Sequence, residues 1–270
     1  MNNPIPVFKF HQGRAPLLVS MPHVGTHIPS HIGADMTDAA QKLADTDWHL
    51  EALYNFLDSL GASVLVATHS RYVIDLNRPP DNANLYPGQD TTGLCPVDTF
   101  DRHPLYQAGR EPNESEIGER IQQYWQPYHT TLDKELQRMR EQHGVAMLWD
   151  AHSIASMVPR FFDGRLPDFN LGTASGNSCS DELSKQLLAI ANSATGYSAA
   201  MNGRFKGGYI TRQYGKPERN IHAVQLELSQ ITYMEESYPF RFDENTAQQV
   251  RPTIARFLEA TLDWALQHRQ

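Results

Sequence analysis

Short apolar runs alternate along the chain with longer stretches at helical spacing, and this alternation sets the expected architecture. Leu17-Leu-Val-Ser20 is an apolar run before a Pro/Gly-rich turn, as expected of a buried strand that ends at a site. From Asp38 to Leu60, the residues Leu43, Leu50, Leu53, Phe56, Leu57 and Leu60 recur at helical spacing, and Gly61 offers a C-terminal cap. Ser63–Ala67 and Tyr72–Asp75 read as strands. Glu114–Gln142 predicts a long helix interrupted near Pro127, with Gly144 after its end. Val145–Trp149 is a buried strand running into Asp150-Ala-His-Ser153. Asp181–Ala194 reads as helix, Ala223–Leu228 as strand and Glu244–His268 as a closing helix.

Strands separated by helices need crossover connections. The expectation is therefore an α/β fold, one domain over residues 1–270, with a mostly parallel or mixed twisted sheet flanked by helices on both faces. In such sheets the chemistry gathers at the carboxyl ends of the strands. Residues 79–113, dense in Pro, Gly, Asp and Asn, read as a long surface loop of a kind that tends to be functional.

Composition narrows the partners. A net charge of -8 argues against nucleic acid or an anionic membrane, both of which demand a basic face. A small acidic substrate stays open, because a pocket can be basic inside an acidic protein. Cys95 and Cys179 are far apart and in no metal-type spacing, which fits a reducing cytosol. Met1–Pro6 lacks the basic start and apolar run of a signal peptide, and no stretch approaches the roughly 20 apolar residues of a membrane span. The expectation is a cytoplasmic protein, monomeric or a small homo-oligomer.

Several motifs carry candidate chemistry. In Ser20-Met-Pro-His-Val-Gly-Thr-His-Ile-Pro29, His23 follows a strand in a backbone shaped by Pro22, Gly25 and Pro29; rigid geometry suits a metal ligand, while a turn histidine facing water is the plain alternative. Asp45-Thr-Asp-Trp-His49 lies early in the expected first helix, where one aspartate suits a cap and the other is free to bind a cation. Asp47 is preferred because Trp48 and the apolar positions beyond turn this side inward; Asp45 stays open. Asp150 and His152 are two apart on an extended chain, so they point the same way, one as ligand and the other as its support together with Ser153.

Period-2 alternation over Ser70–Arg78 places Arg71, Val73, Asp75 and Asn77 on one face, an odd choice for a core and a natural one for a pocket. Arginine's planar fork suits carboxylate, and Asn77 can add a donor. Asn202–Gly215 joins glycines to Arg204, Lys206 and Arg212 and reads as an anion-binding loop, or a plain turn. Glu227, alone in an apolar strand, needs a partner or a raised pKa, and a raised pKa suits a general base.

Taken together, Pro-His-Val-Gly with Ile-Pro, Asp-Trp, Ser-Arg-Tyr-Val-Ile-Asp-Leu-Asn-Arg-Pro, Tyr128-His129, Asp-Ala-His-Ser and Gly-Gly-Tyr-Ile-Thr resemble the N-formylglutamate amidohydrolase (deformylase) family. That family is distantly similar to zinc carboxypeptidases and aspartoacylase. The resemblance implies a carboxypeptidase-like fold in which His23, Asp47 and His152 hold Zn²⁺ or another divalent transition metal. It implies Glu227 as base and proton donor, Arg71 at the oxyanion, and Asn77, Arg78, Arg212, Asp75 and His129 around the substrate. One departure stands out: carboxypeptidase relatives carry a glutamate three residues after the first histidine, where this chain has Thr26. The implied reaction is hydrolysis of N-formyl-L-glutamate to glutamate and formate, a step of histidine degradation. Alternatives are a metal-dependent deacylase or carboxypeptidase for another acidic acyl amino acid or peptide, and a non-catalytic binder of acidic metabolites. A serine hydrolase lacks support, because no Gly-x-Ser-x-Gly elbow appears.

Overall fold

Both faces of the long strands are apolar, and this decides the layering. Along β2 (Leu17–Met21), Leu17, Val19 and Met21 join one buried cluster and Leu18 the other. Along β4 (Ala146–Ile154), Met147, Trp149 and Ala151 face the first cluster, Ala146 and Leu148 the second. A sheet apolar on both faces must be covered on both. The computed structural model describes residues 5–269, so most of the Met1–Pro6 segment read above lies outside the described residues.

The chain begins with β1 (Phe8–His11) and β2, passes through four single-turn helices, α1 (Ser30–Gly33), α2 (Asp38–Gln41), α3 (Leu50–Leu53) and α4 (Leu57–Leu60), and enters β3 (Ser63–Ala67). After a long excursion, α5 (Glu114–Arg120) runs through a π-helical turn at Ile121–Trp125 into α6 (Gln126–His143) and then β4. The second half holds β5 (Phe169–Gly172), α7 (Asp181–Ser193), β6 (Ala199–Met201), α8 (Tyr209–Tyr214), β7 (Ile221–Ser229) and α9 (Glu244–Gln267). One seven-stranded mixed sheet results, in the order β1-β3-β2-β4-β7-β5-β6. Its centre, β3-β2-β4-β7, is parallel, while β1 and β5 run antiparallel to their neighbours β3 and β7. Leu183 and Leu187 of α7 and Val250, Ile254 and Phe257 of α9 fill the first face; Leu132, Leu136 and Met139 of α6 fill the second.

The expected caps are in place: Gly61 (φ +64°) ends α4 and Gly144 (φ +77°) ends α6 in the left-handed conformation that glycine tolerates. Three expectations need correction. The single helix over 38–60 is instead broken turns, because Leu43 and His49 adopt positive φ and the segment between α2 and α3 leaves the helix. Asp45 and Asp47 lie in that segment, outside any helix, so the helix-dipole reading of them falls. Tyr72–Asp75 is a turn-rich segment and not a strand: Tyr72, Val73 and Ile74 are buried in the second cluster while Asp75 turns elsewhere. The interruption expected near Pro127 is present as the π turn Ile121–Trp125 just before it, and Pro127 sits in the first turn of α6. Part of the Asn202–Gly215 loop is the helix α8.

Candidate active site

The parallel strands end at one rim, and each of the three innermost contributes. β2 runs into Pro22-His23, β4 carries Asp150 and His152 in its last turn of register, and β7 places Glu227 directly beside His152. Asp47 arrives from the irregular segment, where its backbone N–H donates to the His23 carbonyl at 3.1 Å. Ligand atoms of His23, Asp47 and His152 all lie within 4.8 Å of one another, and the three are buried. Asp45 does not join them. Its carboxylate accepts from the Phe100 N–H at 3.0 Å, and burial pushes its pKa up to about 6.

The hydrogen bonds behind these side chains give the cluster its character. His23 Nε2 meets Asp75 Oδ1 at 2.7 Å, while its Nδ1 faces Asp47 Oδ2 at 3.8 Å. His152 turns Nδ1 to the same Asp47 oxygen at 3.1 Å and sets Nε2 beside Asp150 Oδ2, also at 3.1 Å. Each imidazole is thus backed on its far side by a carboxylate, the arrangement that orients metal-binding histidines. Two imidazole nitrogens and a carboxylate oxygen converging out of water call for positive charge, as proton or metal ion. The donor set, two nitrogens and one carboxylate, fits a divalent transition metal with an open position. Burial opposes a charge on His152, but Asp150 and Asp47 outweigh it and hold its pKa well above the usual value. For His23 burial dominates, Arg71 reinforces it, and the pKa is lowered. Ser153 donates its N–H to Asp47 at 3.2 Å, and its hydroxyl accepts from Tyr233 at 2.7 Å.

In front of this cluster lies a cavity that opens to solvent. Its wall includes His23, Arg71, Asn77, Arg78, His152, Ser153 and Glu227, all singled out from the sequence. Arg71 is bound to Asp75 at 2.7 Å, and its other terminal nitrogen lies 4.0 Å from Asp47. Asn77 accepts from the Ile210 N–H at 2.8 Å, which turns its amide NH₂ toward His152 Nε2 at 2.9 Å. Burial foremost raises the pKa of Glu227; Asp47 and Asp150 add to this, and His152 and Arg71 oppose it.

Three expected substrate contacts are placed differently. Asp75 is fully buried beneath the cavity, where it holds His23, Arg71 and the Asn77 N–H. His129 is stacked on Trp125 with centroids 3.7 Å apart and binds the Leu76 carbonyl, so it stabilises the turn that carries Asn77 and does not line the cavity. Arg212 donates to the Gly207 carbonyl and lies over Tyr86; it too is absent from the cavity wall, whereas Arg204 of the same segment is part of it. The sequence reading passed over Gln225, although it lies two residues before Glu227 on the same strand face. Gln225 accepts from the Gly208 N–H at 2.7 Å and donates to Glu227 Oε2 at 3.2 Å, which orients the glutamate. Phe100, 4.8 Å from the Arg71 guanidinium, and Tyr86 come from the 79–113 segment, and no local pattern marked them.

Comparison with known proteins gives a consistent result. A profile of the N-formylglutamate amidohydrolase family matches residues 15–234. The chain is 52% identical over 264 residues to an N-formylglutamate deformylase of Pseudomonas putida, covering 98% of each. It is 51% identical to one of Pseudomonas aeruginosa, covering 96% of this chain and 97% of that one. A crystal structure of N-formylglutamate amidohydrolase from Ralstonia eutropha superposes with a TM-score of 0.80 at 27% identity, covering 95% of this chain and 98% of the other.

Proposed function

From the premise that the chain belongs to the N-formylglutamate amidohydrolase family, we propose that it hydrolyses N-formyl-L-glutamate to L-glutamate and formate, with a divalent metal ion held by His23, Asp47 and His152. The observation that carries the metal-dependent reading is the buried convergence of those three side chains at the floor of a cavity that Glu227 also lines. We read Zn²⁺ as the metal, the described chain as one hydrolytic domain, and the 79–113 segment as a functional wall of the cavity. The further context of a cytoplasmic enzyme of histidine degradation, monomeric or a small homo-oligomer, belongs to the same proposal; among the described residues no helix is long and apolar enough to cross a membrane.

The metal, when bound, supplies Lewis-acid polarisation of the formyl carbonyl and acidification of water. Glu227 takes a proton from the attacking water, for which its raised pKa suits it, and returns it to the departing amide nitrogen. Water adds to the formyl carbon, the C–N bond breaks, and formate and glutamate leave. Arg71 faces the developing oxyanion, a role worth about 3 to 4 kcal/mol in comparable sites. Asp75 keeps that guanidinium in place and charged. Asn77 and Arg78 bind the carboxylate next to the scissile amide. Glu227→Gln is the test. The variant should fold, bind zinc and lose formate release from N-formyl-L-glutamate by about 100-fold or more; near-native turnover would rule out Glu227 as the base.

A further inference from the structure

N-formylglutamate carries two carboxylates, and Asn77 with Arg78 accounts for one. The cavity wall holds a further cation that makes no ion pair among the described residues. Arg71 is committed to Asp75 and close to Asp47. Arg204 has no carboxylate within 4.0 Å among the described residues. Its Nε donates to the Phe161 carbonyl, which fixes the plane of the guanidinium, and its terminal nitrogens carry no hydrogen bond to the protein among the described residues. Three rings surround it: Phe205 at 5.3 Å, Tyr86 at 5.6 Å and Phe161 at 5.7 Å from its Cζ. A half-buried guanidinium in an aromatic collar, with its outer edge free toward a cavity, is a carboxylate receptor.

Building on the substrate reading above, we propose that Arg204 binds the side-chain carboxylate of the substrate and is the residue that selects glutamate over uncharged side chains. The two arginines divide by position. Arg78 follows Asn77, whose amide reaches His152, and its guanidinium is held on the cavity wall by the Thr92 and Asn77 carbonyls, which suits it to the α-carboxylate. Arg204 lies on the turn after the edge strand β6, and the rings around it offer apolar surface to the two methylenes that separate the side-chain carboxylate from Cα.

The experiment compares native chain and Arg204→Met, both zinc-loaded, on N-formyl-L-glutamate, N-formyl-L-glutamine and the α-amide of N-formyl-L-glutamate. Native protein should prefer the glutamate substrate to the glutamine one by about 10- to 100-fold, the usual worth of a hydrogen bond to a charged group. Arg204→Met should lose that preference, keep the glutamine rate within about 2-fold, and still discriminate against the α-amide. Calorimetric binding of the product L-glutamate, which needs no turnover, should weaken by the same factor while L-glutamine binding stays unchanged. Equal losses on glutamate and glutamine substrates, or a preference intact in the variant, would overturn the role of Arg204 alone. No formate from N-formyl-L-glutamate with native protein would overturn the substrate reading and this inference with it.

Discussion

Replacing Asp75 by asparagine tests how the site is held together. Asp75 has no exposed surface and gathers three donors: Arg71 Nη2 at 2.7 Å, His23 Nε2 at 2.7 Å and the Asn77 N–H at 2.8 Å. Asparagine retains the shape and one acceptor but removes the charge, and Arg71 remains buried with Asp47, 4.0 Å away, as its nearest carboxylate. Removing one partner of a buried pair typically costs about 3 to 5 kcal/mol, and the retained acceptor places this case near the lower end. With a urea slope of about 3 kcal/mol/M, a loss of about 3 kcal/mol moves the unfolding midpoint down by about 1 M. The same change removes the carboxylate charge behind His23, and losing such a support typically lowers metal affinity about 10- to 100-fold. Urea unfolding with chelator present and zinc competition against a chromogenic chelator measure the two effects separately. Burial works against ionisation of Asp75, but His23 and Arg71 prevail and its pKa is well below 3.8. Its stabilisation is therefore complete above pH 3.8 and is lost as pH falls below that, so native and variant should converge in strong acid. An unchanged urea midpoint together with unchanged zinc affinity near neutral pH would refute this account of the site.

His129 should make the fold acid-labile: burial lowers its pKa from 6.5 to about 3, so the unfolded chain takes up a proton that the folded one refuses. Stability should fall as pH drops from 6.5 toward about 3, and His129→Gln should flatten that part of the unfolding profile; an identical slope in the variant would exclude this role. Gly208→Ala should impair turnover by about 10- to 100-fold, because a Cβ there would stand 2.3 Å from Asn77 Nδ2 and displace an amide that touches His152. Native kcat in that variant would mean that Asn77 does not position the site.

The sequence and the structure agree where burial dictates the pattern. β2, β4 and β7 are continuous apolar runs because both their faces are covered, and His23, His152 and Glu227 stand out against that background. β1, β5 and β6 were not legible: Phe8–His11 is largely exposed and Ala199–Met201 is only three residues long, so neither carries a clear period. Asp47 was chosen correctly as a neighbour of the histidines but on the wrong grounds, since its orientation comes from positive φ at Leu43 and His49 and not from a helix. Arg71, Asp75 and Asn77 do converge, through a turn and not the alternation of a strand, and Val73 goes to the core. Arg212 and His129 could not be placed from the sequence, because only tertiary packing distinguishes an arginine at the cavity wall from one turned to the Gly207 carbonyl, or a histidine facing the cavity from one stacked on Trp125.

The most direct test is formate release from N-formyl-L-glutamate by the purified chain as prepared, after chelation, and after Zn²⁺ is restored. Release that disappears on chelation and returns with zinc in native protein, but does not return in His152→Ala, is the predicted result. Equal release before and after demonstrated removal of metal would contradict the assignment of His23, Asp47 and His152 as a catalytic metal site.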